Sequence, residues 1–241
     1  MSMGVRVPSP SVTWGDRRPS AAGRALPFGI RSGELETIKW LALGCMLISH
    51  AGRFWFHLES GWPLVLGQLV FPLFAFCVAL PLSRDPVEVG KRLAFRLAPY
   101  AVVCQILVQP VRGDHVLDVL FTYVCVGAWL ASAGYGDWGR RWLVRALVLG
   151  VALFSAFWWP GVALVVTLTR WVQTRRVRWF CGAVAAFACI AWLEARWFGF
   201  AAFAVVAGVM RLGITMPRVR NLFARAYVGQ YVGYWVLRAA T

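Results

Sequence analysis

The chain reads as an all-α, polytopic membrane bundle. Three observations carry that expectation. Of its 241 residues 60% are hydrophobic, only 15% are charged, and fourteen are tryptophan. That is more apolar than a soluble domain of this size needs. From residue 35 onward the apolar residues gather into eight or nine long runs, which is how a chain crosses lipid repeatedly. The expected organisation is a basic flexible tail over residues 1–34 and a single transmembrane helical domain over 35–241.

The tail holds Pro8, Pro10, Pro19 and Pro27 among glycine and serine, with Arg6, Arg17, Arg18, Arg24 and Arg31. No apolar core of signal-peptide length interrupts it, so it reads as a mobile cytoplasmic segment. Its arginine-rich, acid-poor composition also fits a transit peptide, the lesser alternative.

The apolar runs have approximate limits 36–57, 62–82, 93–110, 115–133, 142–158, 160–173, 179–194 and 197–212, with a more amphipathic run over 221–239. A crossing takes about 20 residues, so the sixth and eighth runs are short. With the N-terminus cytoplasmic and strict alternation, the inner regions hold twenty-one of the 25 basic residues and the outer ones only Arg53, Arg112, Arg196 and Arg238. That bias is the positive-inside pattern, and it supports the alternation as well as the orientation. A net charge of +15 in a soluble protein would suggest an anionic polymer. Here the cations lie between apolar runs as loop anchors, and no nucleic-acid partner is expected.

The first run carries the most informative residues. Lys39 and His50 are eleven positions apart, which returns to within about 20° of one helix face with a rise of about 16 Å. Lysine then lies near the cytoplasmic surface and histidine beyond the midplane, with His57 seven residues further along the stripe. An ionisable group at membrane depth is costly and marks a functional site by default. The three are also explained as a snorkelling lysine, a core histidine bonded to a backbone carbonyl and a surface histidine; that explanation is weakest for His50, because an idle imidazole at its depth is expensive.

The second run contains Gly67-Gln68-Leu-Val-Phe71-Pro72-Leu-Phe74. Pro72 frees the Gln68 carbonyl and kinks the helix, leaving Gln68 to line a cavity or to bond a neighbouring helix. At the cytoplasmic start of the third run, Lys91, Arg92 and Arg96 share one turn, an arrangement suited equally to phosphate binding and to anchoring. In the fourth run Asp118 and Thr122 form an i, i+4 polar face with His115 just before. Asp118 is placed to pair with an arginine or to orient His50, as an acid orients a base in hydrolytic triads.

The later runs say little beyond topology. Trp62, Trp158, Trp159 and Trp197 near one boundary and Trp40, Trp142, Trp171 and Trp179 near the other form ordinary interfacial belts. Cys45, Cys77, Cys104, Cys125, Cys181 and Cys189 all lie within apolar runs without ligand spacing and read as small buried hydrophobes. No metal site is expected, and no nucleotide-binding or serine-hydrolase signature is present.

The segments Lys39-Trp-Leu-Ala-Leu-Gly-Cys-Met46-Leu-Ile-Ser49-His50, Gly67-Gln68-Leu-Val-Phe71-Pro72-Leu-Phe74, Arg96-Leu-Ala-Pro-Tyr with Gln105, and Asp118-Val-Leu-Phe121-Thr122 resemble the TraX family of conjugative pilin acetylases. The resemblance covers residues 36–130 well and the rest weakly. The broader membrane acyltransferase superfamily shares a basic residue, ten intervening residues and a histidine, similar to Lys39 and His50. It also shares an arginine-rich helix start followed by proline, similar to Arg92, Arg96 and Pro99.

The resemblance implies a bacterial inner-membrane, multi-pass enzyme among membrane lipids, with acetyl-CoA as cosubstrate and no bound cofactor. Lys39, Arg92 and Arg96 would then lie near the CoA phosphates and His50 near the acetyl carbon, with Gln68 and Asp118 orienting groups or lining an acceptor pocket. The implied acceptor is the N-terminus of a pilin subunit. Ser49 stands where the family commonly has Asp, Gln68 where it has Arg, and Tyr231-Val-Gly-Tyr234-Trp235 matches its C-terminal Tyr-Pro-x-His-Leu only loosely. The alternatives are a non-enzymatic membrane pilus-assembly factor, which gives His50 no role, and an O-acetyltransferase acting on a glycan or lipid hydroxyl.

Overall fold

The computed structural model describes residues 29–112, 116–195, 197–219 and 222–240. Among these the chain is all-helical, without a named strand. It forms α1 (Ser32–His50), α2 (Trp62–Leu82), α3 (Pro86–Arg112), α4 (Val119–Ala131), α5 (Trp138–Ala152), α6 (Trp158–Thr174), α7 (Val177–Glu194), α8 (Ala201–Leu212) and α9 (Leu222–Ala240). These follow the apolar runs, with displaced ends. Most of the expected tail lies outside the described residues.

Among the described residues three helical segments are long and apolar enough to cross a membrane: Trp62–Leu82, Pro86–Pro110 and Val177–Glu194. This fits a membrane protein. The remaining helices do not by themselves meet the length and apolarity of a crossing. α1 is one of them, because Glu34, Glu36 and Lys39 charge its first half.

α1 begins where the Arg31 backbone N–H donates to Glu34 Oε2 at 2.9 Å, one arm of a capping box. It does not reach residue 57. The α-helix stops at His50, a π-helical turn follows over Ala51–Trp55, and His57 takes a left-handed φ of 51°. His57 therefore leaves the expected stripe and is exposed.

α2 is entered through Gly61, whose φ of 115° favours glycine, followed by Pro63 in the first turn, where a missing N–H costs nothing. Pro72 leaves the Gln68 carbonyl without its helical donor. Gly199 packs so closely there that a Cβ on it would stand 2.9 Å from that oxygen.

α3 starts earlier than expected because the Asp85 carboxylate accepts the Glu88 N–H at 3.0 Å, capping its first turn. It crosses α4 backbone against backbone. A Cβ on Gly90 would come within 2.8 Å of the Gly127 carbonyl, and one on Gly127 within 2.7 Å of the Gly90 carbonyl. Helices that lack a solvent-driven reason to associate approach in this way through small residues.

α4 begins at Val119, later than expected, with Asp118 as its N-cap. α5 ends at Ala152, so the expected run to 158 is broken by turns. There the Leu117 N–H donates to the Phe154 carbonyl at 2.6 Å, tying the α3–α4 connection to the α5–α6 connection.

The connections sort into two ends of the bundle. At one end Gln173 of α6 donates to the Ser83 carbonyl after α2 at 3.0 Å, and the Met216 N–H after α8 donates to the Gly33 carbonyl of α1 at 3.2 Å. At the other, residues from the α1–α2, α3–α4 and α5–α6 connections and the end of α7 surround one cavity. The core beneath it centres on α2, with Leu73, Ala75, Ala79 and Leu80 fully or almost fully buried.

Candidate functional site

The cavity has a volume of about 540 Å³ and takes residues from α1, α2, α4 and α9 together with the connecting turns. That is enough for a small organic group and part of a second reactant. Part of its lining is apolar, formed by Met46, Phe71, Phe74 and Phe223. Phe74 and Phe223 pack together there, with ring centroids 3.9 Å apart.

His50 enters as the last residue of α1. Its imidazole is surrounded by three aromatic rings, with centroids at 5.5 Å (Phe54), 5.7 Å (Tyr231) and 6.2 Å (Tyr227). Ser49, the residue before His50, also lines the cavity. Its hydroxyl lies so close to α2 that a Cβ on Gly67 would overlap it.

Asp118 is almost completely buried. As the N-cap of α4 its Oδ1 accepts the Leu120 N–H at 2.9 Å, and its own N–H donates to Gln105 Oε1 at 2.7 Å. The Tyr227 hydroxyl donates to Oδ2 at 2.7 Å, a charge-assisted length. A carboxylate at a helix N-terminus is also favoured by the helix dipole. Asp118 is thus a capping group rather than a member of an i, i+4 face. Thr122 turns to bond Ser155 Oγ at 3.2 Å, and His115 lies outside the described residues.

Gln68 both lines the cavity and bonds a neighbour: its Oε1 accepts the Phe198 N–H at 3.0 Å. This holds the turn between α7 and α8 against the kink region of α2.

The structure brings His50, Gln68 and Asp118 to one cavity and leaves Lys39, Arg92 and Arg96 outside its lining. Lys39 Nζ stands 2.8 Å from Glu36 Oε1. It lies three turns before His50 in unbroken helix, so the rise of about 16 Å between them holds. Arg92 and Arg96 are exposed on the first half of α3, while Lys91 pairs with Glu88 at 2.9 Å.

Of the cysteines, Cys77, Cys104 and Cys125 are buried and Cys45 and Cys189 half-buried, but Cys181 is exposed, contrary to expectation. Among the described residues no group of three histidine, cysteine or carboxylate side chains is placed to hold a metal ion.

Sequence reasoning missed the α9 wall. Phe223, Tyr227, Tyr231 and Trp235 recur every fourth residue, a spacing that stacks side chains along one helical face. Tyr227 and Tyr231 are buried, and Trp235 Nε1 donates to the Leu107 carbonyl at 2.9 Å. That four-residue aromatic recurrence was the available signal. Arg53 and Glu194, which add one cation and one carboxylate to the lining, had no comparable local signature.

No curated protein and no solved structure matches the chain. The model of the family described as TraX protein matches residues 34–238. The match continues far beyond residue 130, where the motif resemblance weakens, and takes in the α9 wall. Covering most of the chain, it establishes that this protein belongs to the TraX family.

Proposed function

We propose that this protein is a membrane acetyltransferase that moves an acetyl group from acetyl-CoA to the N-terminal amine of a conjugative pilin subunit, in the bacterial inner membrane. The TraX family is conjugation- and pilus-related. The observation that carries the reading is His50, an imidazole at the end of α1, lining a cavity of about 540 Å³ whose wall also holds the buried carboxylate of Asp118. An ionisable side chain kept in such a place is costly without a task.

In this mechanism the acceptor nitrogen attacks the thioester carbonyl carbon. The C–N bond forms and the C–S bond breaks. His50 takes the proton that the amine loses and returns it to the departing thiolate, giving the amide and free CoA. Imidazole suits both transfers because it ordinarily titrates near neutrality. Lys39, Arg92 and Arg96 supply positive charge for the CoA phosphates at the opposite end of the bundle, and the rise of about 16 Å along α1 is comparable with a pantetheine arm.

The test is the intact mass of pilin from cells with the gene, without it, and with His50→Ala. Acetylated pilin only in the first is expected. Equal acetylation in all three would overturn the proposal. A loss of pili with no acetyl difference would favour an assembly factor, and acetyl found on a glycan or lipid would favour O-acetyl transfer.

A further inference from the structure

The sequence offers Asp118 either an arginine to pair with or His50 to orient, and the structure sets Tyr227 of α9 in contact with both Asp118 and His50. Tyr227 donates its hydroxyl to Asp118 Oδ2 at 2.7 Å. The same tyrosine's ring lies 6.2 Å from the His50 ring and 5.6 Å from that of Tyr231. Asp118 itself is held on three sides, by the Leu120 N–H, by Gln105 and by Tyr227. It is therefore a fixed point belonging to the α3–α4 connection.

α9 is secured to that frame twice, through Tyr227 to Asp118 and, eight residues later, through Trp235 to the Leu107 carbonyl of α3. Two hydrogen bonds from one helix to fixed neighbours, two turns apart, fix its rotation about its axis. Tyr231 lies midway between them, so its direction is set as well, towards His50 at 5.7 Å. Phe54, in the π-helical turn, closes the remaining side, 5.9 Å from Tyr231.

We infer that Tyr227 is a positioning residue for His50: tied to Asp118, it locks the register of α9, and α9 in turn presses Tyr227 and Tyr231 against the imidazole so that it faces the cavity. This rests on His50 being the base proposed above. It also gives Asp118 a role through Tyr227, whose hydroxyl donates to it and whose ring lies beside the imidazole. Among the described residues the other charged groups lining the cavity are Arg53 from the π-helical turn and Glu194 from the end of α7, and Tyr123 adds a further hydroxyl from α4. None of these lies on α9, so the tyrosine relay is separable from them by substitution.

The experiment compares wild type, Tyr227→Phe, Asp118→Asn and the double variant in detergent micelles. Tyr227→Phe keeps the ring and removes only the tie. Each single substitution is expected to lower kcat by about 10- to 100-fold while leaving KM for acetyl-CoA within about twofold, and the double variant should be no worse than either single, as for groups acting as one unit. Multiplicative losses in the double variant would overturn the inference.

A second readout does not depend on turnover. The imidazole carbon-bound proton signals of His50 in labelled protein, assigned by their loss in His50→Gln, should move or broaden in both single variants. Unchanged signals in both would overturn the positioning role even if activity fell. Should the wild type transfer no acetyl at all, the acetyltransferase reading fails, while these signals still decide whether Tyr227 and Asp118 hold His50.

Discussion

The Tyr227 hydroxyl reaches Asp118 Oδ2 at 2.7 Å across 109 positions of chain, joining the last helix to the N-cap of the fourth. Both partners are buried, where a hydrogen bond to a charged group is worth more than at a wet surface and an unmade one is expensive. With the bond from Trp235 to the Leu107 carbonyl, the Tyr227 bond holds the last helix in the wall around His50.

His50→Ala should lower acetyl transfer by about 10²- to 10⁴-fold, the range attributable to a positioned general base. Its side chain lines a cavity, so the variant should still insert and fold. Carbonate-resistant membrane association and a melting temperature within a few degrees of wild type check the second part, and acetyl mass on the acceptor checks the first.

Arg92 and Arg96 are exposed and stand apart from the cavity. If they hold CoA phosphates, Arg92→Gln and Arg96→Gln should each raise KM for acetyl-CoA about tenfold with kcat little changed, the pattern of lost uniform binding. Lys39→Gln should have a smaller effect, because Glu36 already shares its charge at 2.8 Å. Steady-state kinetics separate these outcomes.

Gly127→Ala should destabilise the bundle by about 1–3 kcal/mol, the usual cost of overpacking. The added methyl would stand 2.7 Å from the Gly90 carbonyl and 2.9 Å from the Ala94 nitrogen, backbone atoms that move only if the helices separate. Gly150→Ala, with open space around it, is the control and should be neutral or slightly stabilising. Thermal unfolding in detergent reports both.

Gln68→Leu removes the acceptor for the Phe198 N–H and should cost about 1 kcal/mol of stability. Because the same side chain lines the cavity, kcat/KM should fall as well. Gln68→Glu, which keeps an acceptor, should restore the stability without restoring kcat/KM fully. Melting temperature and kinetics on the same preparations distinguish the two roles.

The helical class, the order of the apolar segments and the prominence of His50 were determined by the sequence alone, because hydropathy and helical period are local properties. Gln68 was likewise marked by Pro72, four residues away. Helix ends were less accessible. α1 halts at His50 and passes into a π-helical turn, and α4 starts only after Asp118, outcomes that depend on caps and turns rather than on apolar content.

What only the tertiary structure decided is which distant side chains share the cavity. Asp118 meets Tyr227 rather than forming an i, i+4 face with Thr122, and Ser49 turns onto Gly67. Tyr227 and Tyr231 pack against an imidazole encoded about 180 residues earlier. No local pattern carries such pairings, since they arise from helix crossing and rotation, which are set by packing and by a few hydrogen bonds between elements remote in sequence. The four-residue aromatic recurrence on α9 marked a buried face; only the folded bundle showed that the face it meets is that of His50.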